Sequence, residues 1–316
     1  MVVDERRRGF LFGAAAFLIW GLFPLYWPLL KPAGAAEILA NRVVWSGLFV
    51  VALIVAVGRA ARLRAVLADR RARRILAAAA VLIACNWGTY IWGVNNGHVV
   101  ETSLGYFINP LFTVLLGVSV LGERLRRWQW IALGAAFVAV VELTIEYGRP
   151  PWIALILTFS FGTYGLAKKK ANVGALEGLA VETAVLAPLA VVFMTVLAAG
   201  GDSHFSGYGV GHALLLIGTG VVTAVPLVLF GGAATRVPLT TLGLLQYIAP
   251  IAQFALGLVV FHEYMSTARW VGFILVWVAL TILTTESFTS RRLKRRAARA
   301  AQLADSELAA AEFAGP

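Results

Sequence analysis

Long apolar runs recur along almost the whole chain and constrain its fold more than any other feature. An α-helix rises 1.5 Å per residue, so about 20 apolar residues are needed to cross ~30 Å of hydrocarbon. The sequence contains ten runs of about this length. We therefore predict an all-α integral membrane protein with ten transmembrane helices in contact with the lipid bilayer. The expected spans are 10–30, 37–57, 75–95, 103–121, 129–146, 152–167, 177–197, 212–234, 239–261 and 270–286.

Composition and the placement of charge support this prediction and indicate an orientation. Hydrophobic residues make up 60% of the chain, against about 45–50% in soluble domains. With a cytoplasmic N-terminus, the inner segments carry 23 Lys and Arg and the outer segments carry 3. Since cytoplasmic loops are rich in Lys and Arg, both termini are predicted to be cytoplasmic. The arginines form short clusters between apolar runs, so the net charge of +11 does not indicate nucleic-acid binding.

The two halves of the chain share a sequence pattern at a constant offset of 140 residues. Because each half holds five spans, an odd number, the second copy would be inserted upside down in the membrane. We therefore predict two inverted five-helix repeats, 9–146 and 152–286, followed by a cytoplasmic basic tail at 287–316. The matching pairs are Pro110 with Pro250, Gly117 with Gly257, Glu123 with Glu263, Trp130 with Trp270 and Glu37 with Glu177.

Each predicted repeat has a proline in the middle of an apolar span. Pro110 and Pro250 cannot donate to the carbonyl group four residues earlier, which belongs to Tyr106 or Gln246. Irregular backbone at membrane depth is tolerated only where it faces protein or a water-filled cavity. Two helix breaks facing one pathway near the bilayer midplane are therefore predicted. The alternative is that both prolines are kinks accommodated by packing.

Six stretches of the sequence are specific enough to indicate a family: 37–46, 86–95, 103–111, 160–165, 181–183 and 243–250. Over about 9–286 the chain resembles the drug/metabolite transporter (DMT) superfamily, and within it the EamA family of the RarD type. The resemblance implies ten helices in two EamA repeats and a multi-pass location in the bacterial inner membrane. It also implies efflux or exchange by alternating access. It implies no cofactor and no particular substrate.

Polar and aromatic residues near the two prolines are the candidate substrate site. Asn86 and Tyr90 are four residues apart and share one helix face, with Trp87 close to the same stripe. This lining, without a fixed buried acid, favours a small organic solute that is neutral or zwitterionic over a strong cation. For the asparagines, the alternative is hydrogen bonding between helices. The predicted substrate-binding residues are Asn86, Trp87, Tyr90, Tyr106, Asn109, Gln246 and Tyr247.

Arg42 and Glu182 are ionisable residues inside predicted spans at matching positions of the two repeats. A charge within the membrane is by default a functional hypothesis. We predict that the two residues form an outer and an inner gate that break in turn, and that Glu182 carries a proton if transport is proton-coupled. The alternative is a structural ion pair or a side chain that reaches to the interface. The predicted partners are Glu101 or Glu142 for Arg42, and Lys168 or Arg236 for Glu182.

The remaining motifs indicate no catalytic or metal site. The sequence has no His-Glu-x-x-His, Gly-x-Ser-x-Gly or P-loop, so neither an enzyme nor direct use of ATP is predicted. A channel or structural membrane subunit is the main alternative to a transporter, ahead of a membrane enzyme. Gly9 and Gly13 suit a close helix contact and are compatible with a homodimer. His98, His204, His212 and His262 are predicted at the surface or interface, and Trp27, Trp128, Trp130, Trp152 and Trp270 as interface anchors.

Overall fold

The computed structural model describes residues 2–121, 125–234, 236–286 and 289, and every regular element among them is a helix. The first half contains α1 (Val2–Gly21), α2 (Phe23–Tyr26), a 3₁₀-helix (Trp27–Leu30), α3 (Ala35–Ala56), α4 (Ala60–Ala68), α5 (Arg70–Asn95), α6 (Val99–Leu121) and α7 (Arg127–Tyr147). The second half contains α8 (Trp152–Ala171), α9 (Ala175–Gly200), α10 (His204–Gly207), α11 (Gly209–Ala234), α12 (Leu239–Leu245) and α13 (Ile248–Val259). It ends with α14 (Thr267–Glu286). Glu123 and nearly all of the tail at 287–316 lie outside the described residues.

Each of the ten expected spans coincides with helical structure, but not every one is apolar enough to count as a membrane span. Among the described residues, 8 helices are long and apolar enough to cross a membrane, and 9 if one bent pair is counted. That pair is α1 with α2 and the 3₁₀-helix, bent by 43° where Pro24 and Pro28 occupy the first turns of the short helices. Helix α8 matches the sixth expected span, but its last turn carries Lys168, Lys169 and Lys170.

The helices of the two halves begin at positions related by the offset seen in the sequence. Helices α3, α6 and α7 begin at residues 35, 99 and 127, and α9, α12 and α14 begin at residues 175, 239 and 267. Each start in the second half is therefore 140 residues after one in the first half.

The packing of the halves against each other follows the same correspondence. Helix α1 packs on α11 and α5 packs on α8; α6 packs on α8 and α1 packs on α13; α3 packs on α11 and α5 packs on α9. The members of each pair of contacts exchange when the two halves are exchanged. Two further contacts, α3 with α9 and α6 with α13, join equivalent helices directly.

The two prolines differ in their effect on the backbone. Helix α6 runs through Pro110 without interruption. In the second half the helix is interrupted at Gln246 and Tyr247, and Pro250 lies in the first turn of α13. The backbone N–H groups of a first helical turn have no intrahelical acceptor, so proline costs little there. The symmetric pair of breaks expected from the sequence is therefore wrong at Pro110.

Small residues on α1 serve contacts within the chain. A Cβ added at Gly9 would lie 2.5 Å from Cβ of Arg236, and one added at Gly13 would lie 2.8 Å from a methyl group of Leu245. These glycines allow α1 to pack closely against α12 and the segment before it. The Gly9–Gly13 motif therefore gives no support for a homodimer.

Candidate functional site

Arg42 lies where four elements of the fold converge. Its side chain is 3% exposed on α3, and its Nε donates a hydrogen bond of 2.9 Å to Oγ1 of Thr223 on α11. The guanidinium carbon lies 3.8 Å from the ring centre of Trp87 on α5 and 5.1 Å from that of Trp27 in the 3₁₀-helix. Phe23 contributes a third ring at 5.6 Å. The cation is thus enclosed by aromatic faces.

The acidic partners predicted for Arg42 lie elsewhere. Glu101 instead pairs with Arg149, at 3.0 Å, and accepts a hydrogen bond from the backbone N–H of Ile153. Glu142 lies on α7 against Gly272 of α14. Within the described ranges, no carboxylate lies within 4.0 Å of Arg42, and Nε is its only nitrogen with a hydrogen-bond partner.

The aromatic rings compensate only part of the cost of burying this charge. Removing an ion from water costs several kcal/mol in a real protein, about as much as breaking a buried ion pair. A cation–π contact contributes about 0.5–2 kcal/mol. Arg42 is therefore a buried cation with unused hydrogen-bonding capacity.

Asn86 is a hydrogen-bonding node between three helices. Its Nδ2 donates to the carbonyl oxygen of Leu157 and to Oγ of Ser160, at 3.1 and 3.0 Å. The hydroxyl group of Tyr106 donates to Oδ1 of Asn86, at 3.1 Å. Asn86 therefore ties α5 to both α8 and α6. This geometry matches the alternative interpretation of Asn86, in which it bonds helices together.

Tyr90 and Tyr106 lie beside the Arg42 cluster. Their rings meet edge to face at 5.7 Å, and both are within charge–charge interaction range of Arg42. The hydroxyl group of Tyr90 is buried and has no hydrogen-bond partner among the described residues. Trp87, Tyr90 and Tyr106 thus gather around Arg42, as predicted for one wall of a site.

The predicted residues beyond these four do not all join the same cluster. Tyr247 packs against the apolar cluster shared by α6, α7, α13 and α14, with its hydroxyl group 3.4 Å from Oγ1 of Thr284. Oδ1 of Asn109 is buried without a partner in the described structure and lies near Gly162 of α8. Gln246 is half-buried at the helix interruption.

Glu182 forms the ion pair that one of its two predicted partners allows. Its carboxylate is 1% exposed and lies 2.8 Å from Nζ of Lys168, with the Tyr164 hydroxyl donating to its other oxygen at 3.1 Å. Arg236, the other predicted partner, pairs with Glu5 at 2.8 Å. The sequence did not single out Tyr164, although its spacing of four residues from Lys168 places both on one face of α8.

Two residues were misjudged from their position in the sequence. Trp27, predicted to be an interface anchor, has no exposed surface, because the bend after α1 turns the 3₁₀-helix inward. His204, predicted at the surface, is half-buried with its Nδ1 2.7 Å from Oε2 of Glu37. Glu37 is thereby paired at the start of α3, while Glu177 at the start of α9 pairs with Arg59 at 2.9 Å.

Glu263 links the loop before α14 to the start of α6. Its carboxylate accepts hydrogen bonds from the backbone N–H groups of Val99 and Val100. Burial disfavours the charged form more than these bonds favour it, so the pKa of Glu263 is raised from 4.5 to about 7. The repeat pattern drew attention to Glu263, but not to this contact.

Comparisons with known proteins point in one direction. Residues 7–145 match the model of the EamA-like transporter family. The chain is 58% identical over 294 residues to the protein RarD of Streptomyces exfoliatus, covering 93% of both chains. It is 41% identical over 296 residues to the protein RarD of Escherichia coli K12, covering 93% of this chain and all of the relative. A solved crystal structure with 18% identity shares the fold, with a TM-score of 0.57 over 87% of this chain and 96% of the other.

Proposed function

This chain belongs to the EamA transporters of the RarD type in the drug/metabolite transporter superfamily, and on that premise we propose that it exports small organic metabolites or drugs as a secondary transporter. The solute would bind between the two halves, near the bilayer midplane, and alternating access would expose the site to each side in turn. The observation that carries this proposal is the enclosed cluster of Arg42, Trp87, Tyr90 and Tyr106. It is built from helices of both halves, because Thr223 of α11 holds Arg42.

We propose ten spans in two inverted repeats of five. The support is the common offset of 140 residues in the helix starts and the exchange of contacts between halves. Helix α8 is counted as the sixth span because Lys168, Lys169 and Lys170 all lie in its last turn, where long basic side chains can reach the interface. Inverted repeats of this kind are a common plan of secondary transporters.

The chain is proposed to lie in the inner membrane with both termini in the cytoplasm. The support is the count of 23 Lys and Arg on the predicted inner side against 3 on the outer side. The pairs Glu182–Lys168 and Glu177–Arg59 then lie towards the inner side, and Glu37–His204 and Glu101–Arg149 towards the outer side. Breaking one set while the other holds is a physical basis for alternating access.

We further propose that Glu182 carries the proton if export is driven by a proton gradient. The support is its nearly complete burial beside a cation and a hydroxyl donor, Lys168 and Tyr164. The lining of Trp87, Tyr90 and Tyr106 suits an organic solute without a strong positive charge, because Arg42 repels cations.

Solute exchange in proteoliposomes tests the proposed function. A thermal-shift screen of amino acids, metabolites and amphiphilic drugs first identifies a ligand, since binding to the native state raises its apparent stability. We expect that ligand to accelerate the exit of its labelled form when supplied on the opposite side. A channel or a structural subunit would show no such trans-stimulation. Protein that binds none of these compounds and exchanges none under any ion gradient would overturn the proposal.

A further inference from the structure

The search for a new property of this protein leads to the unused hydrogen bonds of Arg42. A guanidinium group has five N–H donors in one plane, and Arg42 uses its Nε–H toward Thr223. The remaining donors have no acceptor among the described residues, and the side chain is 3% exposed. Buried charges in proteins are normally paired. An unpaired one in the middle of a transport site is a binding group awaiting its counterion.

The surroundings of Arg42 define what the counterion is attached to. Trp87 lies close enough, at 3.8 Å, to stack on the face of the guanidinium, and stacking leaves the N–H edge unoccupied. That edge matches a carboxylate, which can accept two parallel hydrogen bonds. The buried hydroxyl group of Tyr90 also has no partner in the described structure. It can donate to the second carboxylate oxygen.

The equivalent position in the second half has no such capacity. Glu182 is already bonded to Lys168 and Tyr164. The asymmetry between the halves places a free cation in one wall of the site and a neutralised pair in the other. A solute with one negative group and an apolar body therefore has one favoured orientation.

We propose that Arg42 binds the carboxylate of the transported solute, and that the substrates are small organic acids or zwitterions whose apolar or aromatic body packs against Trp87 and Tyr106. This assignment rests on the proposed transport function and narrows its substrate class. Neutral drugs and amines without an acidic group are excluded as main substrates. Tyr90 is a specificity-determining residue that recognises the same carboxylate.

Matched carboxylate and amide pairs test the proposal directly. The purified full chain is melted with benzoate and benzamide, phenylacetate and phenylacetamide, and phenylalanine and phenylalaninamide. We expect at least one carboxylate to raise the Tm while its amide does not. Loss of a charged hydrogen-bonded contact should weaken carboxylate binding by about 10- to 100-fold in Arg42→Gln. Arg42→Lys should bind with intermediate affinity, because Lys keeps the charge but loses the bidentate geometry.

Two controls keep the result interpretable. Arg149→Gln removes an arginine that pairs with Glu101, outside the site, and should retain the preference for carboxylates. Tyr90→Phe removes a hydroxyl group without an observed partner, so it should fold and lose several-fold in carboxylate affinity. It gives an answer even if Arg42→Gln does not fold.

Several outcomes would overturn the assignment. These are equal shifts by acids and amides, no shift by any acid of the set, or unchanged carboxylate affinity in both Arg42→Gln and Tyr90→Phe. Trans-stimulated exchange of a neutral solute that survives Arg42→Gln would leave the transporter standing and remove this inference. Carboxylate binding without exchange of any solute would remove the transporter instead.

Discussion

Arg42 and Glu182 lie 140 positions apart and are both almost completely buried, yet only Glu182 has an ionic partner among the described residues. A buried charge whose partner is removed is strongly destabilising, whereas a buried pair as a whole contributes little. The two residues thus differ in what their neighbours can tolerate. Their equivalent positions do not give them equivalent roles.

The Lys168–Glu182 pair should respond asymmetrically to substitution. Lys168→Met leaves the Glu182 carboxylate uncompensated and should destabilise the protein by about 3–5 kcal/mol. Adding Glu182→Gln should recover most of this loss, because no buried charge remains. Thermal unfolding of the single and double variants in detergent measures the difference. Additive effects of the two substitutions would show that the pair is not coupled.

Glu182→Gln alone should separate proton coupling from exchange. Without a titratable group at this position, accumulation driven by a pH gradient should be lost, while exchange at equal pH continues. Glu177→Gln is the matched control, since it neutralises another buried acid of α9 that pairs with Arg59. Gradient-driven accumulation by Glu182→Gln at the wild-type rate would exclude Glu182 as the proton carrier.

The Asn86 node should matter for stability more than for solute recognition. Asn86→Ala removes two donated hydrogen bonds and one accepted bond. Hydrogen bonds between membrane helices average about 0.6 kcal/mol, so the expected loss is ~2 kcal/mol, and about a third of that for Tyr106→Phe. The KM for exchange should change little in Tyr106→Phe. A raised KM with unchanged stability would instead identify this hydroxyl group as a solute contact.

Glu263 should make stability depend on pH. Its pKa in the folded protein, about 7, lies above its ordinary value of 4.5. The folded state therefore holds the proton more tightly, and this contribution to stability is complete below about pH 4.5 and lost as pH rises through about 7. Melting curves between pH 5 and 8 should show a smaller decline in Glu263→Gln than in the wild type. Glu146→Gln, at an exposed acid near the same loop, should keep the wild-type decline; an unchanged slope in Glu263→Gln would contradict the prediction.

Gly105 should be intolerant of a methyl group. An added Cβ would lie 2.8 Å from the backbone oxygen of Ala154 and 2.9 Å from Cβ of Leu157. Gly105→Ala should therefore destabilise the packing of α6 on α8 by about 1–3 kcal/mol. Gly165→Ala, where nothing lies within 4 Å of the added atom, should be neutral or stabilising because alanine favours helices. Equal Tm values for the two variants would mean that α8 can shift to make room.

The sequence by itself determined where the membrane helices lie and how the two halves correspond. Apolar length is a local property of the chain, and the 140-residue offset of Pro110 and Pro250 reappears in the helix starts. Ends were harder to predict where a helix continues into water. Helix α5 begins at Arg70, five residues before the expected span, because Asp69 caps it by accepting from the backbone N–H groups of Arg71 and Ala72.

Only the tertiary structure decided which side chains meet. Periodicity shows which face of a helix is apolar, but it does not show which helix covers that face. The bend after α1 buried Trp27 beside Arg42, and α8 supplied the acceptors that occupy Asn86. Pro110 remained inside a helix while Pro250 fell in a first turn, although both stand in apolar runs. Contacts between distant segments depend on packing geometry, which the local pattern of the sequence does not contain.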